Sequence, residues 1–472
     1  QPSLFPMQRI FPFLQWLPEL RQPGVLRADV VAGITVALIL VPQAMAYAEL
    51  AGLPPVYGLY AAFFPPAIAA LFGSSRQLAT GPVAMASLLS ATTVQVLAPA
   101  GGEAFIAYSL VLALVVGAIR FAMGVMRLGL LVNLLSGPVV IGFTNAAALI
   151  IATSQLNKIL GVEAQRADAH VLGVYRVFIV ALDGVHWPTV GMAVLAGGLL
   201  LALRRLAPAL PNMLLTVMVT TLASWLGGYS GGIVGEIPRG LPAWSVPPID
   251  LEAMPQLLLG GLTLTLIGLM EAMAIAKTIA TQPRQQLDIN RELVGQGMAN
   301  LVGGFFGSYA VSGSFSRSAV NHQSGARTGF SSVVTSLVVA ATLLWLTPLL
   351  YYLPQATLAV IIIAAVFSLV QIQPLWAAWR ISLHDGVVGA LTFCGTLLLA
   401  PALHLGIGLG VGLALVFNLY RTMRPDVVYL TRHLDGTLRD AGEQSLQPGQ
   451  KIAIMRFDGR LYFGASSYFE DS

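Results

Sequence analysis

The sequence predicts an all-α integral membrane protein of about 14 transmembrane segments, built as two inverted repeats of about seven, followed by a fragment of a cytosolic α/β domain. Three observations carry this expectation. The chain has too little charge to face water on all sides. Apolar runs of bilayer length recur along it, and a stretch of its first half returns in its second.

Hydrophobic residues make up 56% of the 472 positions and charged residues only 10%, against about 25% charged in a soluble domain. Apolar runs of about 20 residues can each cross a hydrocarbon layer about 30 Å thick. The single cysteine, Cys394, excludes an intramolecular disulfide and a thiolate metal cluster. The net charge of +4 sits mainly between the spans and forms no basic groove with interleaved aromatics. Nucleic acid is therefore not an expected partner.

Residues 1–28 hold Pro2, Pro6, Pro12, Pro18 and Pro23 among aromatics. They suit an interfacial helix or extended lead on the membrane face, and they lack the pattern of a cleaved signal peptide. Spans are then expected at 29–49, 56–72, 78–97, 105–123, 128–156, 188–203 and 211–227, with a polar stretch between the fifth and sixth. The second set follows at 255–277, 293–307, 312–324, 329–349, 358–370, 386–403 and 406–420. The membrane domain is thus 29–423, with repeat one at about 29–227 and repeat two at about 255–423.

Charge sets the orientation. With the N-terminus in the cytoplasm, Arg120, Arg127, Arg204, Arg205, Lys277, Arg284, Arg291, Arg327, Arg380, Arg421 and Arg424 fall inside. Outside fall Lys158, Arg166, Arg176 and Arg239, in loops that also carry Glu163, Asp168, Asp183, Glu236, Asp250 and Glu252. This asymmetry fits an even number of spans with both termini cytoplasmic.

From 424 to 472 the character changes. Lys451 to Phe457 alternates with period two like a strand, and Asp458 and Gly459 supply turn residues before Leu461. So short a tail cannot bury a good core alone. It reads as the opening of a cytosolic α/β domain whose remainder is missing, or else as a self-contained hairpin.

The repeat is the most informative feature. Leu38 to Ala48 resembles Leu266 to Ala276 without a gap, at an offset of 271 − 43 = 228, and aligns Gln43 with Glu271. Thr80, Gly81, Pro82, Val83 and Ala84 correspond to Ser312, Gly313, Ser314, Phe315 and Ser316, at an offset of 313 − 81 = 232. An odd number of spans separates the copies, so they enter the membrane from opposite sides. Inverted repeats of this kind place a substrate site near the midplane at the repeat interface.

The second pair of segments carries the chemistry. Each holds Ser or Thr, then Gly, then a residue suited to opening a helix, proline at the first helical position or serine as N-cap. Two helices that start inside the membrane would aim their N-termini at each other. Each N-terminus offers about half a positive charge and free N–H donors, which together make an anion site out of backbone. The bland alternative is close packing by small residues.

Arg317 lies inside the second segment, while every other basic residue fits a loop or a span end. A buried arginine costs about 2.5–3.5 kcal/mol on insertion scales, so it needs a carboxylate or an anionic substrate, unless it snorkels to the cytoplasmic face. Glu271, deep in the eighth span, is its natural partner. Desolvation and a neighbouring cation act on that carboxylate in opposite senses, so it suits taking up a proton together with substrate. Gln43 is its counterpart in shape that cannot titrate. Tyr47 shares the Gln43 face one turn on. Glu49 should be solvated at the end of its span, and His322 should be structural.

These residues resemble the sulfate-permease family, also called solute carrier family 26. The matching stretches are Val41 to Ala48, Pro54 to Tyr60, Phe72 to Arg76, Thr80 to Pro82, the span of Glu271, Gly303 to Tyr309 and Ser312 to Asn321. The likeness covers essentially the whole chain. It implies core and gate domains within the two repeats, a STAS domain of which the tail is the first part, and anion contacts at Gln43, Tyr47, Val83, Phe315, Ser316 and Arg317. Ala84, beside Val83, is counted with them.

The resemblance further implies secondary transport in a bacterial inner membrane, with a homodimer admitted. Sodium-coupled bicarbonate carriers of the family have aspartate in the eighth span, so Glu271 points to protons, and no other cofactor is expected. The leading expectation is proton-coupled symport of sulfate, a C4-dicarboxylate such as fumarate, or bicarbonate. The alternatives are an anion exchanger, a passive anion channel and, less favoured because of Arg317, a proton-coupled nucleobase permease. An enzyme is not expected, since no serine is spaced to meet a base on an adjacent helix face.

Overall fold

The computed structural model describes residues 11–129, 136–163, 169–208, 210–280, 288–423, 427–432, 437–440 and 454–457. After a helical turn at Phe13–Trp16 and a 3-10 turn at Leu17–Arg21, the first half comprises α1 (Val25–Leu50), α2 (Pro55–Phe72), β1 (Ala79–Gly81), α3 (Ala84–Val94) and α4 (Glu103–Val125). It continues with α5 (Gly137–Ser154), α6 (Leu156–Leu160), α7 (His170–Asp183), α8 (Trp187–Leu206) and α9 (Asn212–Leu226). The second half comprises α10 (Met254–Ala280), α11 (Ile289–Phe305), β2 (Ser312–Ser314), α12 (Phe315–Gln323) and α13 (Phe330–Ala341), the last running on through Leu350. It closes with α14 (Gln355–Phe367), α15 (Ile372–Ile381), α16 (Leu383–Leu399) and α17 (Leu403–Met423).

Every expected span contains a helix, although 78–97 and 312–324 open with β1 and β2 and 130–135 lie outside the described residues; nine helices among the described residues are long and apolar enough to cross a membrane. Those at Ala84–Val94, Asn212–Leu226 and Leu383–Leu399 are apolar but shorter. Two helices were not anticipated. The polar stretch before the sixth span holds α7, whose apolar positions were masked in the sequence by the charges around it; α15 precedes the thirteenth span. Arg166, Asp168, Arg284 and Arg424 lie outside the described residues.

The helices pack as two groups. In one, α1 to α4 pack on α10 to α13; in the other, α5 to α9 pack on α14 to α17. The helices of the first group approach closely. A Cβ on Gly58 of α2 would collide with the Ala44 carbonyl of α1, so glycine there lets two backbones touch, as small residues do between membrane helices.

β1 and β2 pair antiparallel, with Ala79 opposite Ser314, Thr80 opposite Gly313 and Gly81 opposite Ser312. This register obeys the repeat. An offset of 232 (312 − 80 and 313 − 81) carries Thr80 onto Ser312 and Gly81 onto Gly313. The pair Thr80–Gly313 is thereby exchanged with the pair Gly81–Ser312, as a two-fold axis between the strands requires.

After α17 in the chain comes a three-stranded antiparallel sheet in the order β4 (Leu438–Asp440), β3 (Val427–Arg432), β5 (Ile454–Phe457). Ile454 to Phe457 of the expected Lys451 to Phe457 strand is thus seen, whereas Asp458, Gly459 and Leu461 lie outside the described residues.

Candidate functional site

Non-helical backbone inside a membrane needs every polar group satisfied by protein, and side chains of neighbouring helices do this around the strand pair. The Asn300 side chain accepts from Val311 N–H at 2.8 Å and donates to the Val311 carbonyl at 3.1 Å. Ser318 Oγ accepts from Ala79 N–H at 2.8 Å. Gln296 Nε2 donates to Thr80 Oγ1 at 2.6 Å, and Ser312 Oγ to the Gly268 carbonyl at 2.9 Å. Behind β2, Tyr309 and Ser87 share a hydroxyl–hydroxyl hydrogen bond of 3.0 Å.

Each strand runs directly into a helix. Val83, before α3, and Ser314, before α12, are both extended, at φ −138°, ψ 150° and φ −113°, ψ 125°. Neither helix start receives a side-chain cap, so the N–H groups of both first turns keep their donor capacity. Proline was expected at the first helical position; Pro82 instead lies in the extended lead and α3 begins at Ala84. Ser314 holds the N-cap position, but its hydroxyl does not bond the first turn.

Between these two N-termini lies a cavity of about 30 Å³. Tyr47, Val83, Ala84, Glu271, Phe315 and Ser316 line it, together with Ala365, Ser368 and Leu369 at the end of α14. The structure therefore brings together from α1, α3, α10 and α12 most of the residues expected there. The volume admits about two waters.

The remaining two expected residues, Arg317 and Gln43, are not among those that line the cavity. Arg317 is fully buried, with Nη1 3.4 Å from Gln43 Oε1. Its Nε and Nη2 have no hydrogen-bond partner among the described residues. Gln43 is buried too and reaches the second helix group by donating from Nε2 to Met213 Sδ at 3.3 Å. Gly81 brings the strand close to the arginine: a Cβ there would stand 3.3 Å from Arg317 Nη2.

Three expectations are corrected. Arg317 and Glu271 do not form a direct ion pair among the described residues; Glu271 lines the cavity and Arg317 does not. Glu49 is not simply solvated. Its side chain is 8% exposed and pairs with Lys158 Nζ at 2.5 Å, on the rim of a separate cavity of about 370 Å³. Arg120 belongs to no loop. It is 1% exposed within α4, with Nη1 donating to the Val311 carbonyl at 2.9 Å and Nη2 to the Leu264 carbonyl at 3.1 Å.

The sequence did contain a signal for Arg120. It lies three residues after Gly117 and four before Gly124, on the face where both glycines pack against α11. A charge on a small-residue helix face points into protein.

Comparison with known proteins agrees with this architecture. The profile of the sulfate permease family matches residues 26–392. Sulfate transporter 4.1, chloroplastic, of Arabidopsis thaliana is 37% identical, over 98% of this chain and 68% of its own length. The sodium-independent sulfate anion transporter of Bos taurus is 34% identical, over 89% and 74%. The murine solute carrier 26 family member A9 anion transporter, solved in the inward-facing state, superposes with a TM-score of 0.89 at 26% identity, over all of this chain and 81% of that one. The transmembrane domain of the cyanobacterial bicarbonate transporter BicA shares the fold, with a TM-score of 0.70 at 23% identity over 83% and 98%. The chain is thus a multi-pass membrane protein of the sulfate permease family, whose members are anion transporters and not enzymes.

Proposed function

We propose that this chain carries a small dianion, sulfate first, together with a proton, by alternating access at the cavity between α3 and α12. One observation carries the reading: a fully buried arginine keeps two donor nitrogens without partners beside two uncapped helix N-termini. Backbone N–H groups and a guanidinium converging on one point favour an oxyanion. Sulfate is also the anion in the names of the plant and bovine relatives. Fumarate and bicarbonate remain the other candidate substrates, with sodium the less favoured coupling ion.

Glu271 supplies the proton site in this reading. It lines the cavity, so a bound dianion and an ionised Glu271 would repel each other, and a proton taken up with the substrate removes that repulsion. The barrier is the contact of α14 with the two N-termini, and transport is the movement of one helix group against the other. The reading has both chain ends in the cytoplasm, supported by the excess of arginine on that side of the expected spans, and takes the protein as a homodimer of a bacterial inner membrane. The sheet after α17 is read as the beginning of a STAS domain.

Uptake of labelled sulfate into proteoliposomes under an inward proton gradient tests the reading. Wild-type protein should accumulate sulfate, and Glu271→Gln should abolish accumulation while preserving sulfate counterflow. Accumulation at the wild-type rate by Glu271→Gln removes the coupling role. Transport that depends on a counter-anion and ignores the proton gradient would identify an exchanger, and conduction reversing at the anion's equilibrium potential a passive channel. Competition by uracil would mark a nucleobase permease.

A further inference from the structure

Arg120 is a second buried guanidinium near the cavity, and the functional reading leaves it unused. It bridges two backbone carbonyls, Val311 just before β2 and Leu264 on α10. Its Nε has no hydrogen-bond partner and no carboxylate stands within ion-pair distance, among the described residues. A neutral glutamine amide also has two N–H donors for such a bridge. Fastening two strands of backbone therefore does not account for a full positive charge in the membrane interior, where charge is costly.

The position of that charge is informative. A Cβ on Gly268 would meet Arg120 Nη2 and Ser312 Oγ, so the guanidinium lies against the α10 turn that precedes Glu271 and against β2. Glu271, which lines the cavity, follows Gly268 by three residues, so Arg120 stands about one helical turn from it along α10. Around the cavity, the two buried arginines and the carboxylate together carry one net positive charge while Glu271 is ionised, and two when it is protonated. Without Arg120 the same set would be neutral, or singly positive.

We propose that Arg120 is a specificity-determining residue that sets the valence of the bound anion, favouring dianions through its charge from behind β2. This rests on the reading of the cavity as an anion site. Coulomb energy is linear in ligand charge, so removing a distant positive charge costs a dianion twice the free energy it costs a monoanion. The fold-change for the dianion is then the square of that for the monoanion. If Arg120→Gln weakens a monoanion about tenfold, it weakens a dianion about a hundredfold.

Sulfate and perchlorate, both tetrahedral and differing in charge, are the probes, with binding to purified protein measured calorimetrically. In Arg120→Gln the preference for sulfate over perchlorate should fall about tenfold, whereas Arg120→Lys, which keeps the charge and changes the bridge, should retain it. An unchanged preference in Arg120→Gln overturns the proposal, as does equal weakening of both anions. Should Arg120→Gln not fold, the double variant with Glu271→Gln removes two opposite buried charges together, the gentler change. It keeps one net positive charge, so at alkaline pH it should show the wild-type preference, and a lost preference there is also fatal. Wild-type protein that binds neither anion would instead overturn the anion-site reading, and this proposal with it.

Discussion

The guanidinium of Arg317 touches the amide of Gln43, Nη1 to Oε1 at 3.4 Å, and this joins the third residue of α12 to the C-terminal half of α1. The contact is long, and two further nitrogens of the arginine are unpartnered among the described residues. The side chain is thus held in place and yet keeps most of its donor capacity, an arrangement suited to a ligand that comes and goes.

Replacing Arg317 tests that arrangement directly. Charge-assisted hydrogen bonds contribute roughly 1.5–3 kcal/mol each, so Arg317→Gln should weaken sulfate binding about a hundredfold or more. Arg317→Lys should fall between the variant and the wild type, because it restores charge and not the planar fork. Calorimetry with purified protein reads both. Wild-type affinity in Arg317→Gln would remove the arginine from the site.

Gly81 has a φ of 155°, a conformation that side chains rarely adopt, and its missing Cβ leaves room for Arg317 Nη2. Gly81→Ala should lower stability by about 1–3 kcal/mol and weaken sulfate about tenfold, since the guanidinium must shift. Thermal melting and binding would be followed in parallel. Unchanged affinity in a destabilised protein would separate Gly81 from the ligand.

Asn300 holds the irregular backbone before β2 through both faces of its amide. Asn300→Leu keeps the volume and leaves the Val311 N–H buried without an acceptor, which costs about 1–3 kcal/mol. The melting temperature should drop and sulfate binding should fall with it, because β2 delivers the start of α12. A variant with normal melting and binding would show that strand to be held elsewhere.

The Glu49–Lys158 pair joins the end of α1 to α6, one from each helix group. Lys158→Met leaves a nearly buried carboxylate alone and should cost about 3 kcal/mol, while Lys158→Met combined with Glu49→Gln should recover most of it. A double-mutant cycle on thermal stability measures the coupling. Additive losses would show that the pair contributes nothing.

How far the sequence announces this structure differs from residue to residue. The two interrupted helices are legible because Thr80, Gly81 and Pro82 break one apolar run and Ser312, Gly313 and Ser314 break its symmetric partner. Gly313 and Thr80 being directly opposite each other is not legible, since pairing across such a distance in the chain appears only in three dimensions. Arg120 was misplaced because hydropathy ends its span near Met123, whereas α4 continues to Val125 and packs that face inside. Glu49 was misread for a similar reason: a residue at a helix end counts as solvated until its neighbour, here Lys158, is known.

The strand pair also has a history within each molecule's synthesis. Thr80 leaves the ribosome 312 − 80 = 232 residues before the serine that matches it in the other repeat, a delay of roughly 10 to 50 seconds at ordinary translation speeds. Throughout that interval β1 has no β2 to pair with, and hydrocarbon does not tolerate unpaired main-chain groups. Early helices or the insertion machinery must shelter it. The assembly of this membrane protein therefore has a natural waiting point, released only when the later half arrives.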